Sequence, residues 1–111
     1  MLNYQLDHVF RALADPTRRT ILERLTAGEA SVSELARPLE MSLAAVLQHV
    51  QMLEVSGLVR SRKRGRVRTC RIESEALRAA ESWLSERRAL WSRRLDRLGT
   101  VLAEQQKGSR K

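Results

Sequence analysis

Cysteine occurs once in this chain, at Cys70, so no disulfide can form within it. A lone thiol fits a reducing compartment, and a cytoplasmic location is expected. No apolar run approaches the ~18 residues that a membrane-spanning helix needs. The N-terminal stretch MLNYQLDHVFRALAD carries polar residues throughout and is not expected to act as a signal peptide. Chemistry is scarce as well. There is no nucleophile motif, no cluster of metal-ligand residues and no glycine loop suited to phosphate, so an enzyme is not expected and no cofactor is implied. Histidine occurs only at His8 and His49. Internal repeats and long linkers are absent too.

What remains is small, ordinary in hydrophobicity and strongly basic. The 111 residues suit one small domain, with 42% hydrophobic and 31% charged residues. Lys and Arg number 21 against 13 Asp and Glu, a net charge of +8. Such a surface attracts polyanions, nucleic acid first among them. The charge is also clustered. Between Leu58 and Ile72 stand Arg60, Arg62, Lys63, Arg64, Arg66, Arg68 and Arg71, with no acidic residue among them.

Periodicity and caps give the order of elements. Leu6, Val9, Phe10 and Leu13 predict a first helix over residues 4–14. Asp15-Pro16 opens a second, running to about Leu25 with Ile21, Leu22 and Leu25 inward. Ser31-Val32-Ser33-Glu34 has the S-x-x-E pattern of a capping box and opens a short third helix through Arg37, limited by Pro38. Ser42 caps a fourth, with Val46, Val50 and Leu53 buried, ending near Ser56-Gly57. Residues 58–72 form a basic hairpin turning at Gly65. Ser74 caps a final helix reaching about Gln105, and residues 107–111 make a frayed, disordered basic tail. Residues 1–106 are therefore expected to be one winged helix-turn-helix domain: mainly α, with a two-stranded wing and a long C-terminal helix.

Within that order, the fourth helix presents Ser42, Leu43, Ala44, Leu47, Gln48 and Gln51 outward. Gln can pair with adenine, while Ala and Leu can meet a thymine methyl group. Leucines left in water beside glutamines need a partner. The wing arginines suit phosphates or a narrow minor groove. Double-stranded DNA is the expected partner. A non-specific nucleic-acid module and a protein-interaction module built on Leu43 and Leu47 are the alternatives. The last helix, ~45 Å long and more than a small core covers, carries Leu84, Trp91, Leu95, Leu98 and Leu102. With Leu6, Val9 and Phe10 of the first helix, these are expected to form a homodimer interface.

The stretches FRALADPTRRTILERL, SVSELARPLEMSLAAVLQHVQMLEVSGLV and RGRVRTCRI resemble the ArsR/SmtB family of prokaryotic winged-helix repressors, over nearly the whole chain. The tail SWLSERRALWSRRLDRLGTVL looks like a metal-independent branch of it. The resemblance implies a homodimer joined by the first and last helices that binds near its own promoter and blocks transcription. It places the recognition positions on Ser42, Leu43, Ala44, Leu47, Gln48 and Gln51, and the wing arginines on Arg62, Arg64 and Arg66. Many members carry Ser where this chain has Leu47, so the bases read there should differ. Ser31 and Ser33 stand where metal-sensing members place a cysteine pair, and serine is a poor ligand for soft metals. The last helix lacks His, so no metal or small-molecule effector is evident. Cys70, set among arginines, is expected to pack inward, with redox sensing as the alternative.

Overall fold

The computed structural model describes residues 4–109. The chain runs α1 (Tyr4–Leu13), α2 (Pro16–Thr26), β1 (Ala30–Ser31), α3 (Val32–Ala36), α4 (Leu43–Val55), β2 (Val59–Arg64), β3 (Val67–Ile72) and α5 (Glu75–Ser109). It divides after Ala80 into two compact units. The first holds α1 to β3 and the opening of α5. The second is the remainder of α5.

Local chemistry sets the helix starts. Asp15 accepts the Arg18 N–H at 3.0 Å, and Pro16 takes the first helical position, where its missing N–H costs nothing. That backbone bond, with the Arg18 charge, holds the Asp15 carboxyl below its usual range. Ser31 Oγ accepts the Glu34 N–H at 3.1 Å, and Glu34 accepts the Ser31 N–H at 3.3 Å, completing the capping box. Those bonds lower the Glu34 carboxyl as well. Ser42 Oγ accepts the Ala45 N–H at 3.1 Å.

The end of α4 is equally defined. Gly57 N–H donates to Glu54 O at 3.0 Å and Leu58 N–H to Leu53 O at 3.1 Å. This is the Schellman pattern, with Leu53 and Leu58 supplying its apolar contact. Gly57 takes the left-handed φ of +81° that the pattern needs. Ser56, fully buried, donates to Leu53 O at 2.6 Å and accepts the Leu58 N–H at 3.2 Å. Gln5 of α1 donates to the Ser56 carbonyl.

The core of the first unit is aliphatic. Val46, Val50 and Leu53 of α4 admit no solvent, and Ile21, Leu35, Leu58 and Val59 join them. Leu6 and Val9 belong to this core, at 8% and 0% exposure, because α1 packs on α2 and α4. Their expected place in a dimer interface is therefore corrected: their surfaces are spent within the protomer. Phe10 is half-buried.

A third strand accompanies the expected hairpin. β1 pairs antiparallel with β3 through Ala30↔Cys70 and Ser31↔Thr69, giving the order β1-β3-β2. Two residues are too few to show a period in sequence. α5 continues past Gln105 through residues 107–109, and residues 110–111 lie outside those described. No helix of the described residues is long and apolar enough to cross a membrane.

A Cβ at Gly57 would lie 2.9 Å from Gln5 Nε2 and 3.3 Å from the Ala76 Cβ, on a backbone that disfavours side chains. Gly57→Ala is expected to lower stability by about 1–2 kcal/mol. A urea titration should show the midpoint falling with the slope unchanged.

Candidate nucleic-acid interface

Helix α4 divides along its length. Its inner stripe is buried, while Ser42, Leu43, Ala44, Gln48 and Gln51 are exposed, Leu43 at 54%. Leu47 is half-buried and shares the row of Leu43, one turn on. The structure thus brings the six expected recognition residues onto one helix, with Leu47 the least accessible.

Only two residues of α4 are ionisable, and both turn to the body of the protein. His49 Nδ1 lies 3.3 Å from Arg18 Nη1. The same guanidinium donates to Ala12 O and Arg11 O, each at 2.9 Å, so Arg18 closes the C-terminus of α1 while touching α4. Glu54 accepts the Ser61 hydroxyl proton at 2.8 Å, and Arg68 Nη1 donates to Ser61 Oγ at 2.8 Å. This chain of bonds ties the end of α4 to both wing strands. Sequence reasoning missed it, as it missed Arg18, because neither link has a local spacing that would announce it.

The wing is a tight hairpin. Arg64 pairs with Val67, leaving Gly65 and Arg66 as a two-residue turn. Gly65 at φ +60° supplies the positive angle that such a turn requires at its first position. Side chains alternate between faces, and paired residues share one. Val59, Ser61 and Cys70 therefore face inward, while Arg60, Arg62, Arg64, Thr69 and Arg71 share the outer face. These five, with Ser61 and Glu29, line a concavity of about 450 Å³. Arg71 pairs with Glu73 at 3.3 Å. Among the described residues, Arg60, Arg62, Arg64 and Arg66 have no carboxylate within ion-pair distance. Arg62 and Arg64 of the expected set thus stand side by side, with Arg66 in the turn. Arg60 joins them as an addition that strand alternation would have revealed.

Cys70 lies on the opposite face from Arg60, Arg62, Arg64 and Arg71, fully buried. Burial, with a contribution from the Glu54 charge, pushes its thiol up to about 11. The inward packing expected of Cys70 is what the structure shows, the pleat turning it away from Arg60, Arg62, Arg64 and Arg71.

Comparison with known proteins places this geometry. A family model described as a helix-turn-helix domain matches residues 13–62. The HTH-type transcriptional regulator Rv2034 of Mycobacterium tuberculosis is 40% identical over 89 residues, covering 80% of each chain. Among solved structures, the ArsR family transcriptional regulator RHA00566 is similar at 51% identity and a TM-score of 0.78, over 83% of this chain and 95% of that one. The solution structure of the homodimeric winged helix-turn-helix DNA-binding domain Mb0332 from Mycobacterium bovis, a possible ArsR-family regulator, is similar at 28% identity and a TM-score of 0.59, over 83% and 82%.

A buried thiol with a raised pKa is inert. At pH 7.5 native protein is expected to leave Cys70 unmodified by iodoacetamide while denaturant exposes it to full labelling. Rapid labelling of the native protein, read by mass spectrometry, would contradict the inward placement.

Proposed function

The chain belongs to the ArsR family of helix-turn-helix transcriptional regulators, and from that premise we propose that it is a homodimeric, sequence-specific repressor that binds double-stranded DNA. On this reading α4 enters the major groove and the wing meets phosphates or the minor groove. The operator is a rough palindrome whose half-sites lie about one helical turn apart. It includes the protein's own promoter, and repression follows from occupying it in the cytoplasm.

One observation carries the reading: an exposed helix face without charge stands beside a hairpin crowded with unpaired arginines. Phosphate contacts supply affinity and register, whereas base-edge contacts supply sequence discrimination. The two elements of this chain split along those lines. Arg60, Arg62, Arg64 and Arg66 repel one another until a polyanion relieves them. Ser42, Leu43, Ala44, Leu47, Gln48 and Gln51 offer hydrogen bonds and methyl contacts, with nothing that favours phosphate over base.

Dimerisation rests on the second unit. Leu84, Trp91, Leu95, Leu98 and Leu102 are all exposed, Leu95 at 66%. A second copy of the same helix would remove this stripe from water, each large side chain contributing roughly 1.5–3 kcal/mol when fully covered. With Leu6 and Val9 committed to the core, α1 adds Phe10 at most. The homodimeric state of the Mycobacterium bovis domain supports a homodimer. We place the chain in a branch that does not sense metals. Ser31 stands where the resemblance puts a ligand cysteine, and its hydroxyl is engaged in capping α3.

Two tests follow. Gln48→Ala is expected to cost ~1–3 kcal/mol on the operator and little on random duplex, and Arg64→Ala to weaken every duplex and lower the salt slope by about one. Competition binding at fixed salt, with the operator preferred by ~10³-fold or more in the parent protein, checks both. Equal losses on operator and random DNA for Gln48→Ala would remove α4 from base reading. Separately, Leu95→Glu is expected to shift the protein to monomer at micromolar concentration with the first unit still folded. Sedimentation equilibrium reads this directly, and an unchanged dimer would remove α5 from the interface.

A further inference from the structure

The exposed surface of α4 is unusual for a protein of this charge, because it carries none. None of the chain's 21 Lys and Arg residues lies on α4, and its one histidine, His49, faces Arg18. The commonest way to read guanine is a bidentate Arg or Lys on O6 and N7, and α4 has neither residue. Cytosine is read by a carboxylate that accepts from N4, and the one carboxylate of α4, on Glu54, is held by Ser61 at 2.8 Å. The two side-chain types that distinguish G·C pairs most strongly are thus missing from this face or already engaged.

What the face does hold is suited to A·T pairs. Leu43 is 54% exposed in the first turn of α4, where a groove-bound helix comes nearest the base edges. Ala44 lies beside it. A G·C pair presents no methyl group in the major groove, so an apolar side chain seated there gains less contact than it would against a thymine. Thymine alone offers a methyl group. Gln48 and Gln51 follow on the same side of the helix at spacings of four and seven from Ala44, both exposed. Each can donate to N7 and accept from the N6 amine of adenine.

We propose that α4 reads A·T base pairs, with Leu43 and Ala44 against thymine 5-methyl groups, Gln48 and Gln51 on adenine edges, and no guanine contact from this helix. The proposal rests on the major-groove placement of α4 and narrows it to one class of half-site. Discrimination then comes from a hydrophobic contact and two amides, while the arginines of the wing supply attraction that every duplex shares.

The test uses the full-length protein and a pool of random duplexes at fixed salt. Bound sequences are selected, and each thymine of the selected site is then replaced singly by deoxyuridine, which removes the 5-methyl group and nothing else. Binding is expected to weaken about fourfold at each methyl that Leu43 or Ala44 covers. In Leu43→Ala, a substitution at an exposed position, the loss at the Leu43-contacted thymine should vanish. A selected half-site reading only G·C pairs in the major groove, or indifference to deoxyuridine at every position, would overturn the proposal and leave a sequence-specific regulator standing. Selection that enriches no sequence at all would remove both the proposal and the specific-repressor reading beneath it.

Discussion

Every property of the candidate interface depends on how α4 is held by its inner face. Val46, Val50 and Leu53 are sealed from solvent, so the helix cannot roll about its axis without exposing three aliphatic side chains. Its ends are fixed as well. Ser42 caps one, while the Gly57 turn and the buried Ser56 close the other. Gln5 holds the Ser56 carbonyl from α1, and Arg18 touches His49 while closing α1. A helix fixed at both ends and along one side presents its remaining side as a rigid template. In the proposed complex, that rigidity would let neutral residues act as readers, since weak contacts discriminate only when their positions do not drift.

The wing obeys a different requirement. Phosphate attraction is long-ranged and tolerant of geometry, so exposed arginines on a two-stranded hairpin suffice. Yet the hairpin is not loose at its base. The Glu54–Ser61–Arg68 bonds fix it to the end of α4, and β1 fixes the other edge of β3. Arg68 is thereby withdrawn from the set of free cations, which leaves Lys63 near the tip, the outer face and the turn to carry the charge. The wing and α4 are joined by one serine hydroxyl, which accepts from Arg68 of the wing and donates to Glu54 of α4.

The parts legible in sequence were those governed by neighbouring residues. Asp15-Pro16, Ser31 with Glu34, Ser42 and Gly57 each act within a turn of their own position, and each appears in the structure as read. The apolar stripes were legible too, but a stripe does not say which molecule covers it. Leu6 and Val9 looked available to a second chain because periodicity carries no information about partners, and α2 and α4 cover them instead. β1 was invisible for want of length. The Glu54, Ser61 and Arg68 link was invisible because it joins residues seven apart across a helix end and a hairpin, where no periodic rule applies. Cys70 was expected to pack inward and does, because the pleat, rather than its arginine neighbours in sequence, decides what surrounds it.

The second unit poses a stability problem that the protomer alone does not solve. Residues 81–109 form a single helix, and an isolated helix gains little net stability from its own hydrogen bonds. Gly99 lies within it, a residue that costs about 1 kcal/mol against alanine in a helix interior. Nothing beyond its own turns and neighbours comes within 4 Å of where its Cβ would be, so packing inside the protomer does not require a glycine there. The seven-residue row Leu84, Trp91 and Leu98 stays exposed along the same helix. In the proposed dimer both costs are offset together. The row is removed from water, and a partner helix can approach closely at Gly99. Formation of this helix and association of the two chains then become a single equilibrium, so the concentration that assembles the dimer also orders the element joining its two reading helices. Half-occupied operators would be rare in such a system, because a lone protomer lacks both the second reading helix and the covered stripe that stabilises its own last helix.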